Sequence, residues 1–376
     1  MMKQARASIL VVKIGSSTLT DAQGRIDHAY LAHVAQQVSN LRSQGWQVVI
    51  VSSGAIACGL EALGMAERPT DMPSLQAAAS VGQSAFSAAY AQAFKPFGIT
   101  TSSVLLTRRD TADRTAYLHA RDTMGRLLEL GVVPIVNEND TVSVEQIRFG
   151  DNDTLAALVA CLIEADLVVI LSDIDGLYDA NPNSNPDANL VPLVEAITPQ
   201  IMAVAGGAGS SVGSGGMITK IKAARVLMAA GIQMIIARGS DRDIIQNAAL
   251  GTARCTVFAA KKTPHEITPR KLWIALGDSA KGALVVDNGA RNALVNRGSS
   301  LLSVGVARVE GRFEEGDIVD VKDNAGLVVA RGRVGACSDE VSLACGLTSD
   351  QLSANRLLAR LADRPVMHRD ELIVFE

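Results

Sequence analysis

Val136-Asn137-Glu138-Asn139-Asp140-Thr141-Val142, followed shortly by Gly150-Asp151-Asn152-Asp153-Thr154, is the stretch on which the reading of this chain turns. An apolar run from Val132 to Val136 opens into amide and carboxylate side chains. A helical pattern with Leu155, Leu158 and Leu162 on one face begins just after the second cluster. A short buried strand, a polar turn and a helix make one βα unit of a parallel sheet, and in open parallel sheets ligands bind beyond the carboxyl ends of the strands. The paired clusters suit a ligand that carries both an ammonium and a carboxylate, because amides donate and carboxylates accept. For Asp151 to Asp153 helix capping is the structural alternative.

Outward from this unit the same alternation repeats over about the first 260 residues. Further strand candidates are Ile9 to Ile14, Gln47 to Ser52, Ser103 to Leu106, Leu167 to Leu171 and Met234 to Ala237, while Leu31, Val34, Val38 and Leu41 keep helical spacing. The pattern predicts an α/β fold, an αβα sandwich around a mostly parallel open sheet. After Leu250 helical periodicity is lost, and basic residues cluster with Pro264 and Pro269. Beyond them come the short segments Ser300 to Val306, Asp317 to Val321, Gly326 to Val334 and Glu371 to Phe375. The expected division is a catalytic domain over 1–260, a linker over 261–277 and a small β-rich domain over 278–376.

Composition removes several function classes. With 35 Lys plus Arg against 39 Asp plus Glu the net charge is -4, so the whole molecule is not an electrostatic sink for nucleic acid or anionic lipid. The tail from Asp278 is itself acidic, with 12 basic and 15 acidic residues. Thirteen aromatics argue against a stacking platform for single strands. Five scattered cysteines without a C-x-x-C suggest neither a disulfide framework nor a zinc site, and no apolar run approaches a membrane span. A cytoplasmic protein is expected.

Anion-binding chemistry is written into three turns. Lys13-Ile14-Gly15-Ser16-Ser17 follows the first strand and Ser52-Ser53-Gly54-Ala55 the second; glycine lets backbone approach an anion, and a helix N-terminus presents unpaired N–H groups. Ordinary βα turn chemistry is the alternative for each. The strongest local signal is Gly206 to Lys220, a glycine-rich loop running into a helix with a lysine in its first turn, which makes a nucleotide phosphate site plausible. A glycine linker is the alternative there. Neither a P-loop nor a dinucleotide fingerprint fits the spacing. His28, His33, His119 and His265 lie apart and lack metal spacing.

Six blocks in order carry a resemblance: Lys13 to Ser17, Ser52 to Ile56, Asn137 to Val142, Phe149 to Asp153, Leu171 to Tyr178 and Gly215 to Lys220. Together they resemble the glutamate 5-kinase family of the amino-acid kinase superfamily, and the β-rich tail resembles a PUA domain. The resemblance implies ATP-dependent phosphorylation of the γ-carboxylate of L-glutamate, the first step of proline biosynthesis. It implies ATP contacts at Lys13, Gly15, Ser172, Asp173, Ser214, Gly215, Gly216, Met217, Ile218, Thr219 and Lys220, with Mg²⁺ held mainly through the ATP phosphates. Glutamate contacts fall at Ser53, Gly54, Ala55, Asn137, Asp140 and Asn152. Lys13, Lys220 and Asp153 are the expected catalytic residues, Asp153 orienting the two lysines. Feedback inhibition by proline, hand-over to a glutamate-5-semialdehyde dehydrogenase and a homo-oligomer are further expectations of the resemblance. The competing readings are an aspartate, acetylglutamate or uridylate kinase, and an RNA-binding PUA protein; the acidic tail opposes the last.

Overall fold

The computed structural model describes residues 7–375 apart from 22, 66, 108–109, 111–112, 143–151, 183, 206–215, 262–267 and 277–279. Eight strands form the larger sheet: β1 (Ile9–Ile14), β2 (Gln47–Ser52), β3 (Thr101–Leu106), β4 (Val133–Glu138), β5 (Leu167–Ser172), β6 (Leu193–Val194), β7 (Gln233–Arg238) and β8 (Cys255–Phe258). Their order is β3-β4-β2-β1-β5-β7-β8-β6, and every neighbouring pair is parallel except β7 with β8. Strands β1, β4 and β5 are buried at every residue, which is why they read as nearly unbroken apolar runs.

The period of two along β1 sorts its side chains between two cores. Leu10, Val12 and Ile14 pack with Leu31 and Val38 of helix His28–Ser43 and with Phe86, Tyr90 and Phe94 of helix Met72–Phe94. Ile9 and Val11 face the other way, toward helices Asn152–Leu162 and Met217–Ala229. Lys13 shares the parity of Ile9 and Val11, so it emerges on the side where Asn152–Leu162 begins. That helix is apolar nearly all round and is buried along almost its whole length, as a helix sandwiched between a sheet and another helix must be. The αβα layering expected from the sequence is what the chain adopts.

The second sheet has five strands, β9 (Gly282–Val286), β10 (Val306–Gly311), β11 (Ile318–Lys322), β12 (Val328–Arg333) and β13 (Leu372–Val374), in the order β10-β9-β11-β12-β13. It encloses its own core around Leu284, Val319, Val329 and Met367. Two readings of this region need correction. The expected strand Ser300 to Val306 is a bridge at Leu301 to Met367 followed by a 3₁₀ turn, Ser303–Gly305, with β10 starting only at Val306. The loss of helical periodicity after Leu250 is interrupted by helix Pro269–Leu276, inside the stretch read as a linker. Its Leu272, Ile274 and Leu276 join the core that holds Leu227 and Met228, and Ile318, Ile373 and Phe375 of the second domain join it too. The two domains therefore share apolar packing.

Candidate active site

Asp153 is the centre of the site. It sits in the first turn of helix Asn152–Leu162, fully buried, and its carboxylate takes two ammonium groups. Lys13 Nζ lies 2.9 Å from Oδ1, and Lys220 Nζ donates to Oδ2 at 3.1 Å. The Thr219 hydroxyl is 2.9 Å from the same Oδ2. Three secondary-structure elements thus converge on one side chain: β1 brings Lys13, helix Met217–Ala229 brings Thr219 and Lys220, and the central helix brings Asp153. Burial pushes the Asp153 carboxyl up, but the charges of Lys13 and Lys220 outweigh it and hold the group down at about 2. Among the described residues two ammonium groups face one carboxylate there, confined where water is scarce. Such an arrangement favours a negatively charged ligand and strengthens its hold on it.

One residue earlier in the chain, Asn152 builds a second cluster. Its amide donates to Ser53 Oγ at 2.7 Å and to Asn137 Oδ1 at 3.2 Å. Asn137 in turn donates to Gln83 Oε1 at 3.1 Å. Asn137 belongs to β4, which runs to Glu138 and so extends past the expected end at Val136. Ser53 precedes helix Ala55–Ala62, and the turn passes through Gly54 at φ +139, where a Cβ would meet Leu19 at 3.0 Å and Phe86 at 3.2 Å. Only glycine fits that backbone comfortably. Ala55 is buried at the helix start. Asp140 stands beyond the end of β4, partly buried, and burial pushes its carboxyl up to about 6 against the lowering pull of Arg68. No hydrogen bond joins it to the amide cluster among the described residues.

The other expected contacts are placed as follows. Gly15 lies beside Lys13, whose Nζ would be 3.4 Å from a Cβ there. Ser172 ends β5, next to β1 in the sheet, and donates to the exposed Asp173 at 2.9 Å. Gly216, Met217, Ile218 and Thr219 form the entry to the Lys220 helix, with Gly216 as its N-cap. Ser214 and Gly215, most of the glycine loop, and Gly150 and Asp151 lie outside the described residues. Gln83 was not among the expected site residues. It sits mid-helix in Met72–Phe94, where a glutamine gives no local signal, and only the fold brings it to Asn137. Among the described residues no group of three or more His, Cys, Asp or Glu is placed to hold a metal ion, and no helix is long and apolar enough to cross a membrane.

Comparison with known proteins identifies the family and the fold. The amino acid kinase family model matches residues 8–238 and the PUA domain model residues 282–354. A glutamate 5-kinase of Geobacter sulfurreducens is 45% identical over 365 residues, 97% of each chain. One from Caldanaerobacter subterraneus subsp. tengcongensis is 42% identical over 367 residues, 98% of each chain, and one from Bordetella petrii is 46% identical over 370 residues, 98% of this chain and 97% of that one. Among solved structures, carbamate kinase from Giardia lamblia bound to AMP-PNP superposes with a TM-score of 0.51 at 17% identity, over 68% of this chain and 99% of that one, which speaks for the fold alone. By sequence over nearly its whole length and by fold over its larger domain, the chain belongs to the amino acid kinase family, among the glutamate 5-kinases that carry a PUA domain.

Proposed function

We propose that the chain transfers the γ-phosphoryl group of ATP to the γ-carboxylate of L-glutamate, giving ADP and L-glutamyl 5-phosphate, the entry step of proline biosynthesis. The single observation that carries this reading is the adjacency of the two clusters: Asn152 belongs to the amide pocket and Asp153 to the lysine cluster, so an amino acid and a phosphate are held side by side. A γ-carboxyl with a reference pKa of about 4.3 is already ionised at neutral pH, so the reaction needs no general base. A carboxylate oxygen forms a bond to the γ-phosphorus while the bond to the bridging oxygen of ADP breaks. The difficulty is repulsion between two anions, and Lys13 and Lys220 answer it by placing ammonium groups where charge gathers on the transferred phosphoryl. Asp153 fixes both ammonium groups before substrate arrives, so little reorganisation is left for the reaction itself.

Ser53, Gly54, Ala55, Asn137 and Asn152 would receive the carboxylate groups of glutamate, and Asp140 its ammonium. Gly15, Ser172, Asp173 and the segment 214–220 would receive the nucleotide. The lysine cluster suits a polyphosphate by charge, and Mg²⁺, carried on the phosphates, would add further neutralisation. Inhibition by proline in the glutamate pocket, hand-over of the hydrolysis-prone product to a dehydrogenase, a homo-oligomeric assembly and a cytoplasmic location complete the reading. So does the division at about residue 260.

The test is ADP release with L-glutamate, L-aspartate, N-acetyl-L-glutamate and UMP offered as acceptors. Turnover with L-glutamate far above the other three is expected. Turnover led by any of the others would assign a different kinase.

A further inference from the structure

A cleft of ≈ 400 Å³ lies between the two domains and shares no lining residue with the amide pocket or the lysine cluster. Met202 and the polar side chains of Lys222 and Arg225 line it from the larger domain, and Asp320, Leu327 and Arg331 line it from the smaller. Two arginines there behave very differently. Arg331 is fully engaged: its Nε donates to Asp320 Oδ1 at 2.7 Å, Nη2 to Oδ2 at 3.3 Å, and Nη1 to the Ala275 carbonyl at 3.3 Å. That fork neutralises Asp320.

Arg225 is only 8% exposed, yet among the described residues its side chain makes no hydrogen bond and no ion pair. Its contact is with the ring of Phe375, with Cζ 5.3 Å from the centroid. A ring face accepts a cation but leaves the in-plane N–H donors of a guanidinium, five in all, without oxygen partners. A nearly buried arginine without an anion is costly, and folded proteins seldom keep one. Burial pushes the Arg225 guanidinium down to about 10, with Asp320 pulling it up and Arg331 pressing it further down, so it still carries its charge at neutral pH. Arg225 follows Lys220 by five residues on one helix, about 7.5 Å along the axis and about 140° around it, so the two cations serve different faces.

We infer that this interdomain cleft is a binding site for a small oxyanion, a phosphate- or polycarboxylate-bearing metabolite whose oxygens pair with the guanidinium of Arg225. The ligand reaches both domains at once, since Arg225 and Lys222 belong to one and the Asp320–Arg331 pair and Phe375 to the other. One bidentate pair of N–H donations to a carboxylate or phosphate gives the guanidinium the oxygen partners that the described chain does not supply.

The experiment is isothermal titration of the full-length chain with pyrophosphate and, separately, with citrate, comparing wild type with Arg225→Met and Asp320→Asn. Wild type is expected to bind one anion more per chain than Arg225→Met, or to bind it at least about tenfold more tightly. Asp320→Asn, which removes the one acidic side chain that lines the cleft among the described residues, is expected to tighten binding. Binding of pyrophosphate alone assigns a phosphate ligand, and binding of citrate alone a polycarboxylate. Thermal melts report whether each variant folds; should Arg225→Met not fold, Arg225→Lys keeps the charge without the fork and is expected to weaken binding, and Asp320→Asn still gives its opposite shift. Equal stoichiometry and affinity in wild type and the Arg225 variant, or no binding of either anion beyond the lysine cluster, overturns the inference.

Discussion

Asn152 and Asp153 are consecutive residues that serve opposite halves of the site: Asn152 donates to Ser53 at 2.7 Å, while Asp153 holds Lys13 at 2.9 Å and Lys220 at 3.1 Å. Successive helical side chains diverge by about 100°, so one helix start can address two ligands. The site depends on where that helix begins rather than on a loop.

Removing either lysine should act on the rate. Lys13→Ala and Lys220→Ala are each expected to lower kcat by about 10² or more while the KM for glutamate changes far less, because charge on the transferred phosphoryl is greatest in the transition state. Steady-state kinetics checks this, and an unchanged kcat removes that lysine from the mechanism. Asp153→Asn should do more: it leaves two buried ammonium groups facing each other without their anion, at a cost of about 3–5 kcal/mol of stability.

The low position of the Asp153 carboxyl has a pH consequence. A carboxyl held below its unfolded value stabilises the fold above the ordinary carboxylate range and loses that contribution only as pH falls through about 2. Above the ordinary carboxylate range Asp153 stays ionised, so the kcat profile should show no inflection from Asp153 between pH 4 and 9.

Asp140 works in the opposite sense. Burial raises it to about 6, so in the empty protein it favours folding below the ordinary carboxylate range and loses that contribution as pH rises through about 6. An ammonium ligand needs the ionised form. The KM for glutamate should therefore climb below pH 6, by up to about tenfold per unit, and the climb should vanish in Asp140→Asn along with most of the affinity. A KM that is flat from pH 5 to 8 in wild type would move Asp140 out of the pocket.

Two glycines bring helices Ala55–Ala62 and Met72–Phe94 into backbone contact. A Cβ on Gly82 would lie 1.8 Å from the Ala55 carbonyl oxygen, and one on Gly59 1.8 Å from that of Ala78. Gly82→Ala should lower stability by about 1–3 kcal/mol or more and raise the glutamate KM, since Ala55 lies two residues after Ser53 and Gln83 follows Gly82. Thermal melts and kinetics on the same preparation test both parts.

The sequence showed six strands of the larger sheet to within a few residues because buried parallel strands are continuous apolar runs. It missed β6, the edge strand of only two residues, and its neighbour β8, whose burial alternates. Helix Pro269–Leu276 was hidden by its proline and flanking basic residues, although Leu272 and Leu276 share a buried face and Ile274 is buried as well. In the site, Lys13, Asn137, Asn152, Asp153 and Lys220 could be picked out because each follows or ends a strand or starts a helix beside glycine. Gln83 and Arg225 could not: both sit inside regular helices, and their importance comes from what the fold sets against them.

That shared packing also bears on the domain division. A fragment ending at 264 would lose Leu272, Ile274, Ile318, Ile373 and Phe375 from the core that lies on helix Met217–Ala229. It should melt well below the full chain, and a fragment as stable as the whole would mean that the second domain adds nothing to this core.

The most direct test of the central claim is product trapping. With ATP, Mg²⁺ and L-glutamate, the full-length chain in hydroxylamine should form γ-glutamyl hydroxamate and ADP one for one, and Lys220→Ala should lower both together. ADP release without hydroxamate, or equal hydroxamate formation from L-aspartate, would contradict the account.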